Sequence, residues 1–173
     1  MSLGQKRAGE SVPRHWLDAS VLIEAHHRTY PIGIIDSFWV WLDGEIQKGN
    51  IVCPRRVYRE VAESEHQDEL ARWMKHRKAK GLCVAPSRQV QTRVKEVEEY
   101  VFTKYKSIEA WEFSKGADPW VIAHALEDHG IVVTKESFTR PEAQKVRIPD
   151  VCDNFSVKCI DTLQMLKDLK AKF

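Results

Sequence analysis

Short runs of β-branched and apolar residues recur between helical segments, and this alternation constrains the fold more than any other feature of the chain. Ile51-Val52-Cys53, Leu82-Cys83-Val84, Gly130-Ile131-Val132-Val133-Thr134 and Val157-Lys158-Cys159-Ile160 have strand length and strand composition. Arg14-His15-Trp16-Leu17-Asp18-Ala19 reads as a first strand before them. Helical patterns lie between, over 20–27, 34–48, 55–64, 67–80 and 87–105, with a shorter helical turn around Ile108, Trp111 and Phe113. Strand and helix in alternation predict an α/β fold: a mostly parallel central sheet with helices on both faces, a Rossmann-like three-layer α/β/α sandwich.

Local signals sharpen the boundaries. Gly49-Asn50 closes the second helix. Val90, Val94, Val97 and Val101 form the apolar stripe of a long charged helix. Gly116-Ala117-Asp118-Pro119-Trp120 reads as a helix start, with Asp118 at the N-cap and Pro119 at the first helical position. Asp161-Thr162-Leu163-Gln164 opens the last helix like a capping box. In the 55–64 helix, Val57, Glu60, Val61 and Ser64 share one stripe at 100° per residue. Glu60 therefore sits among apolar neighbours, where a carboxylate needs a cation, a hydrogen-bond network or a metal. Lys135 to Pro149 reads as a loop.

A chain of 173 residues suits one domain, expected over 13–173 behind a polar lead over 1–12. That lead has no apolar core of a secretory signal, and no run approaches the ~18–20 apolar residues of a membrane helix. The four cysteines, Cys53, Cys83, Cys152 and Cys159, form no C-x-x-C pair and sit in apolar contexts. They read as reduced thiols of a cytoplasmic protein. A net charge of +2 does not announce a nucleic-acid binder. Two basic clusters do point to a phosphate backbone: Arg55, Arg56 and Arg59, and the run Lys75-His76-Arg77-Lys78-Ala79-Lys80. No phosphate-cradling glycine motif occurs, and Ser20 stands where an aspartyl phosphatase needs a second acid. His26 and His27 are expected about 100° apart on a helix surface. His124 is expected half-buried and satisfied.

Four acids from distant segments fall where a parallel-sheet crevice would be. Asp18 ends the first strand, Glu60 follows the second, Asp118 opens a helix and Glu136 lies just beyond Thr134. Singly, each has a structural explanation as a cap or a solvated residue. Together, crowded carboxylates repel one another, and a hard divalent cation such as Mg²⁺ or Mn²⁺ removes that penalty. Such a cluster suits phosphodiester hydrolysis.

Leu17-Asp18-Ala19-Ser20, Val57-Tyr58-Arg59-Glu60, Gly116-Ala117-Asp118-Pro119-Trp120 and Val132-Val133-Thr134-Lys135-Glu136, in this order, resemble the PIN-domain family of VapC-like ribonucleases. The resemblance is nearest to a bacterial PIN-like subgroup and runs from about Arg14 to the C-terminus. It implies a metal-dependent endoribonuclease, the toxin of a toxin–antitoxin pair, with single-stranded RNA as substrate, an antitoxin partner, a homodimer and no membrane association. Asp18, Glu60 and Asp118 match the three core acids and metal ligands. Glu136 matches the fourth, in a T-x-[DE] pattern that includes Thr134, and Asp150 and Asp153 stand as alternatives to it. Ser20 and Thr134 would position the acids. Arg55, Arg56, Arg59, Lys75, Arg77 and Lys78 would hold RNA. The chain departs from the family in carrying Glu at the fourth acid and Ala19-Ser20 after the first. The rival expectation is a PIN-fold module that binds antitoxin or RNA without cleaving it.

Overall fold

Strand β1 (His15–Leu17) has three residues, all buried, and it is the middle of the sheet. The computed structural model describes residues 12–65, 67–137 and 145–173. The lead expected over 1–12, Val12 excepted, and the middle of the loop expected over 135–149 lie outside these residues. The other strands are β2 (Ile51–Pro54), β3 (Cys83–Val84), β4 (Ile131–Val133) and β5 (Lys158–Ile160), in the order β3-β2-β1-β4-β5. Every neighbouring pair is parallel. His15 pairs with Ile51 on one side and Ile131 on the other, and Leu17 pairs with Val133. β1, β2 and β4 are buried throughout, so these apolar runs are covered on both faces, as a parallel sheet requires.

The helices are α1 (Ala19–Glu24), α2 (Asp36–Gln47), α3 (Arg55–Ala62), α4 (Glu69–Arg77), α5 (Arg88–Lys104), α6 (Ser107–Lys115), α7 (Asp118–Asp128), α8 (Ile148–Asn154) and α9 (Thr162–Asp168). Val90, Val94, Val97 and Val101 are the buried stripe of α5, which packs on α7. Ser87 caps α5 by accepting the Val90 N–H at 3.1 Å. Asp161 caps α9 by accepting the Gln164 N–H at 2.7 Å. Between α7 and β4 the chain turns through His129 in the left-handed region (φ 55°) and brings Gly130 close to Arg14 and Trp16. A Cβ on Gly130 would lie 2.8 Å from both the Arg14 carbonyl oxygen and Trp16 Cδ1, so only glycine lets these segments meet.

Four local expectations are corrected. The turn around Ile108 is a nine-residue helix, α6. α8 follows the loop, where no helix was expected. Its Pro149 in the first turn, with Ile148, Val151 and Cys152 buried at helical spacing, is a signature too short to show periodicity. Asp118 does not cap α7 but is its first residue, with Ala117 at the cap position. Beyond α1 the chain widens into a π-helical turn (Ala25–Thr29), which buries His26 and leaves His27 exposed. The wider turn alters the spacing on which a surface placement of both rings depends.

The chain builds β1, β2 and β3 outward, then returns to the far side of β1 for β4 and β5. The reversal lies between β1 and β4, and their adjacent carboxyl ends open a crevice there.

Candidate active site

Asp18 leaves β1 at this crevice, buried, with its N–H donating to the Val133 carbonyl at 3.0 Å. It occupies the cap position of α1, yet its carboxylate makes no cap bond. Oδ2 instead accepts the Ser20 hydroxyl at 2.5 Å and the Thr134 hydroxyl at 3.0 Å. Both hydroxyls also accept from the segment after β4: Thr134 Oγ1 takes the Glu136 N–H at 3.1 Å, and Ser20 Oγ takes the Lys135 N–H at 3.3 Å. Ser20 and Thr134 thus lace the ends of β1 and β4 together through Asp18. Glu136 is turned by Oε2 accepting the Ile148 N–H at 2.9 Å, with Arg147 Nη1 3.7 Å from Oε1. The unforeseen α8 supplies that N–H. Asp150 and Asp153 lie on α8 facing Tyr100 of α5, whose phenol is raised by burial first and by these two charges next.

Asp118 feels all the others. Burial, then the charges of Asp18, Glu136 and Glu60, push its carboxyl up to about 8, against the pull of Lys145. Glu60 is also raised, by burial first and Asp18 second, while Arg56 and the Ala117 N–H oppose the rise. Sequence periodicity placed Glu60 among apolar residues. Val57 and Val61 are indeed buried but the Glu60 side chain is exposed, with only its carboxyl end crowded. Asp118 and Glu136 open into a cavity of about 450 Å³ walled by Ile108, Phe113 and Val146. Glu60 faces a second cavity of about 410 Å³ with Arg56, Arg59 and Lys115. Four carboxylates are a hard-oxygen donor set, which fits Mg²⁺ or Mn²⁺. No three of them close to within 4.8 Å of one another; among the described residues only His26, His27 and Asp68 do.

Residues 15–173 match a family described as a domain of unknown function (DUF4411). The chain belongs to the DUF4411 family. No curated protein sequence matches it. Among solved structures, the DUF4411 chain is similar to a chain in the crystal structure of VapBC2 from Rickettsia felis bound to a DNA fragment from their promoter. The TM-score is 0.52 at 11% identity, over 85% of this chain and 97% of the other. At that identity the likeness is one of fold, and it bears out the α/β architecture expected from the sequence.

The two basic clusters of the DUF4411 chain part company. Arg55, Arg56 and Arg59 open α3 at the carboxyl end of β2, beside Glu60. Arg56 Nη2 donates to the Lys115 carbonyl at 2.9 Å, Arg59 lies 3.9 Å from Glu63, and Arg55 has no side-chain partner among the described residues. The other run precedes β3, at the amino ends of the strands. There Arg77 is bound to Asp43 at 2.5 and 2.7 Å, Lys75 to Gln67, and Lys78 lies over the Tyr58 ring at 4.9 Å. Two residues not foreseen as functional join the arginines. Trp120 and His124 line a pocket of about 150 Å³ with Arg55, Arg56 and Arg59. His124 is not satisfied as expected: it is buried, stacked on Trp16 at 4.4 Å, with Nε2 unpartnered among the described residues, and burial lowers it to about 4. Trp120 was legible as an aromatic one residue past Pro119.

Proposed function

We propose that this protein is a divalent-metal-dependent endoribonuclease that hydrolyses phosphodiester bonds of single-stranded RNA. The observation that carries the proposal is the approach of Asp18, Glu60 and Glu136 to Asp118, whose carboxyl is raised by burial first and by these three charges next. These four would hold Mg²⁺ or Mn²⁺, which when bound supplies Lewis acidity toward the phosphodiester and its attacking water. Asp18 is kept in one orientation by Ser20 and Thr134. Asp118 would have to give up its proton to hold the cation, so affinity for the cation should rise with pH. Arg55, Arg56 and Arg59 would bind the RNA backbone, and Trp120 would offer a ring to a base beside them. No covalent enzyme intermediate is involved. The fold likeness to a VapBC2 chain, with the sequence resemblance, supports a toxin held by an antitoxin partner.

The untagged protein with Mn²⁺ should cleave single-stranded RNA, and Asp118→Asn should lower the rate by at least about 10²-fold. Equal cleavage by the variant would remove the acids from the mechanism. The wide spacing of the acids favours a second reading, a module that binds RNA or antitoxin without cleaving. It predicts RNA binding unaffected by Mn²⁺ and no cleavage by the wild type.

A further inference from the structure

We propose a second cation site, separate from the crevice, formed by His26, His27, Asp68 and Glu69 and suited to a borderline ion such as Zn²⁺. The π-helical turn brings the rings of His26 and His27 to 4.7 Å, and the start of α4 faces them with two acids. His27 Nε2 lies 3.4 Å from Asp68 Oδ2, and His26 Nε2 lies 4.0 Å from the same oxygen and 3.8 Å from Glu69 Oε2. These separations are wider than charge-assisted hydrogen bonds. They come close to the ~3.3–3.5 Å between neighbouring ligand atoms of a tetrahedral site with bonds near 2.0–2.1 Å.

Each acid has one oxygen already fixed. Asp68 Oδ1 accepts the Ala71 N–H at 2.9 Å, and Glu69 Oε1 is held by Arg72 at 3.0 Å. Their other oxygens face the histidines. This is the outer support that orients ligating carboxylates. Two imidazoles and two carboxylates form a mixed set that suits Zn²⁺, Co²⁺ or Ni²⁺ better than Mg²⁺. His26 is buried against the edge of Trp39, while His27 is half exposed and leaves an entry path. The ion would staple the turn after α1 to the start of α4.

Loading has one local consequence. His26 Nδ1 accepts the Ile32 N–H at 3.3 Å, which leaves the ring proton on Nε2. A cation on Nε2 moves that proton to Nδ1 and breaks the hydrogen bond from Ile32.

Untagged, chelator-treated protein carrying Asp118→Asn is titrated with Zn²⁺ by calorimetry, and with Co²⁺ by visible absorption. The crevice variant separates this site from the proposed catalytic one. The expected result is one equivalent bound, a Co²⁺ band of tetrahedral intensity and a shifted Ile32 amide resonance. His27→Gln, at a half-exposed position, should weaken binding by roughly 10- to 100-fold, and Asp68→Asn, which can still cap α4, should do the same. Failure to bind, or unchanged affinity in both variants, would overturn the site.

Discussion

At the residue scale, Asp118 shows how far a sequence reading can go and where it stops. The pair Asp118-Pro119 marks a helix start, and a helix does start there, but the carboxyl does not cap it. The acid lies half-buried near three others instead, and burial first, then their charges, push its carboxyl up to about 8. The sign of its effect on stability is fixed. Below about pH 4 both folded and unfolded chains hold the proton. Between pH 4 and 8 the unfolded chain releases it while the folded chain keeps it, so this residue makes the fold less stable as pH rises, and the loss levels off above 8. Asp118→Asn removes the penalty. The variant should gain over the wild type by roughly 1–3 kcal/mol between pH 5 and pH 8, read as a widening difference in Tm. A constant difference across that range would mean that the carboxyl is not held up in the fold. Mn²⁺ at pH 8 should raise the wild-type Tm and leave the variant's unchanged.

At the scale of elements, the strands and long helices were legible because their patterns are local. The Val90–Val101 stripe, the apolar runs of β2 and β4 and the cap at Asp161 each contain their own signal. What escaped was fixed by distant residues or by shape. α8 is seven residues long, and its role of orienting Glu136 through the Ile148 N–H depends on a bond reaching twelve residues back. The π-helical turn departs from the period on which sequence patterns rest, so the pairing of His26 with His27 could not be read. Gly130 is a third case: its sequence signal is a glycine before a strand, but its necessity comes from Arg14 and Trp16 of another segment. Gly130→Ala sets a methyl group 2.8 Å from the Arg14 carbonyl oxygen, a backbone atom that cannot turn aside. The substitution should cost about 1–3 kcal/mol in urea unfolding with an unchanged m-value. A neutral result would show that β1 and the α7–β4 turn can separate without loss.

For the whole molecule, the parallel order β3-β2-β1-β4-β5 explains why acids so far apart in sequence meet, and why only one of two basic clusters lies beside them. Asp18 and Glu136 follow strands that are neighbours at the reversal of the sheet, and Arg55, Arg56 and Arg59 begin the helix after the next strand. The run Lys75–Lys80 sits at the opposite ends of the strands and has its own acidic and aromatic partners. Composition treats the two clusters alike; topology does not. If RNA lies across the crevice, its phosphates meet α3. Removing the cation that neutralises one phosphate of a single strand lowers the slope of log K against log salt by about 0.7. In the Asp118→Asn background, where binding is measured without cleavage, Arg55→Gln with Arg59→Gln should reduce the slope by about 1.4. Lys75→Gln with Lys80→Gln should leave it unchanged, although both pairs remove the same charge. Equal reductions from the two pairs would point to attraction by overall charge instead of a path along α3, and a reduction confined to the second pair would move the RNA to the other end of the sheet.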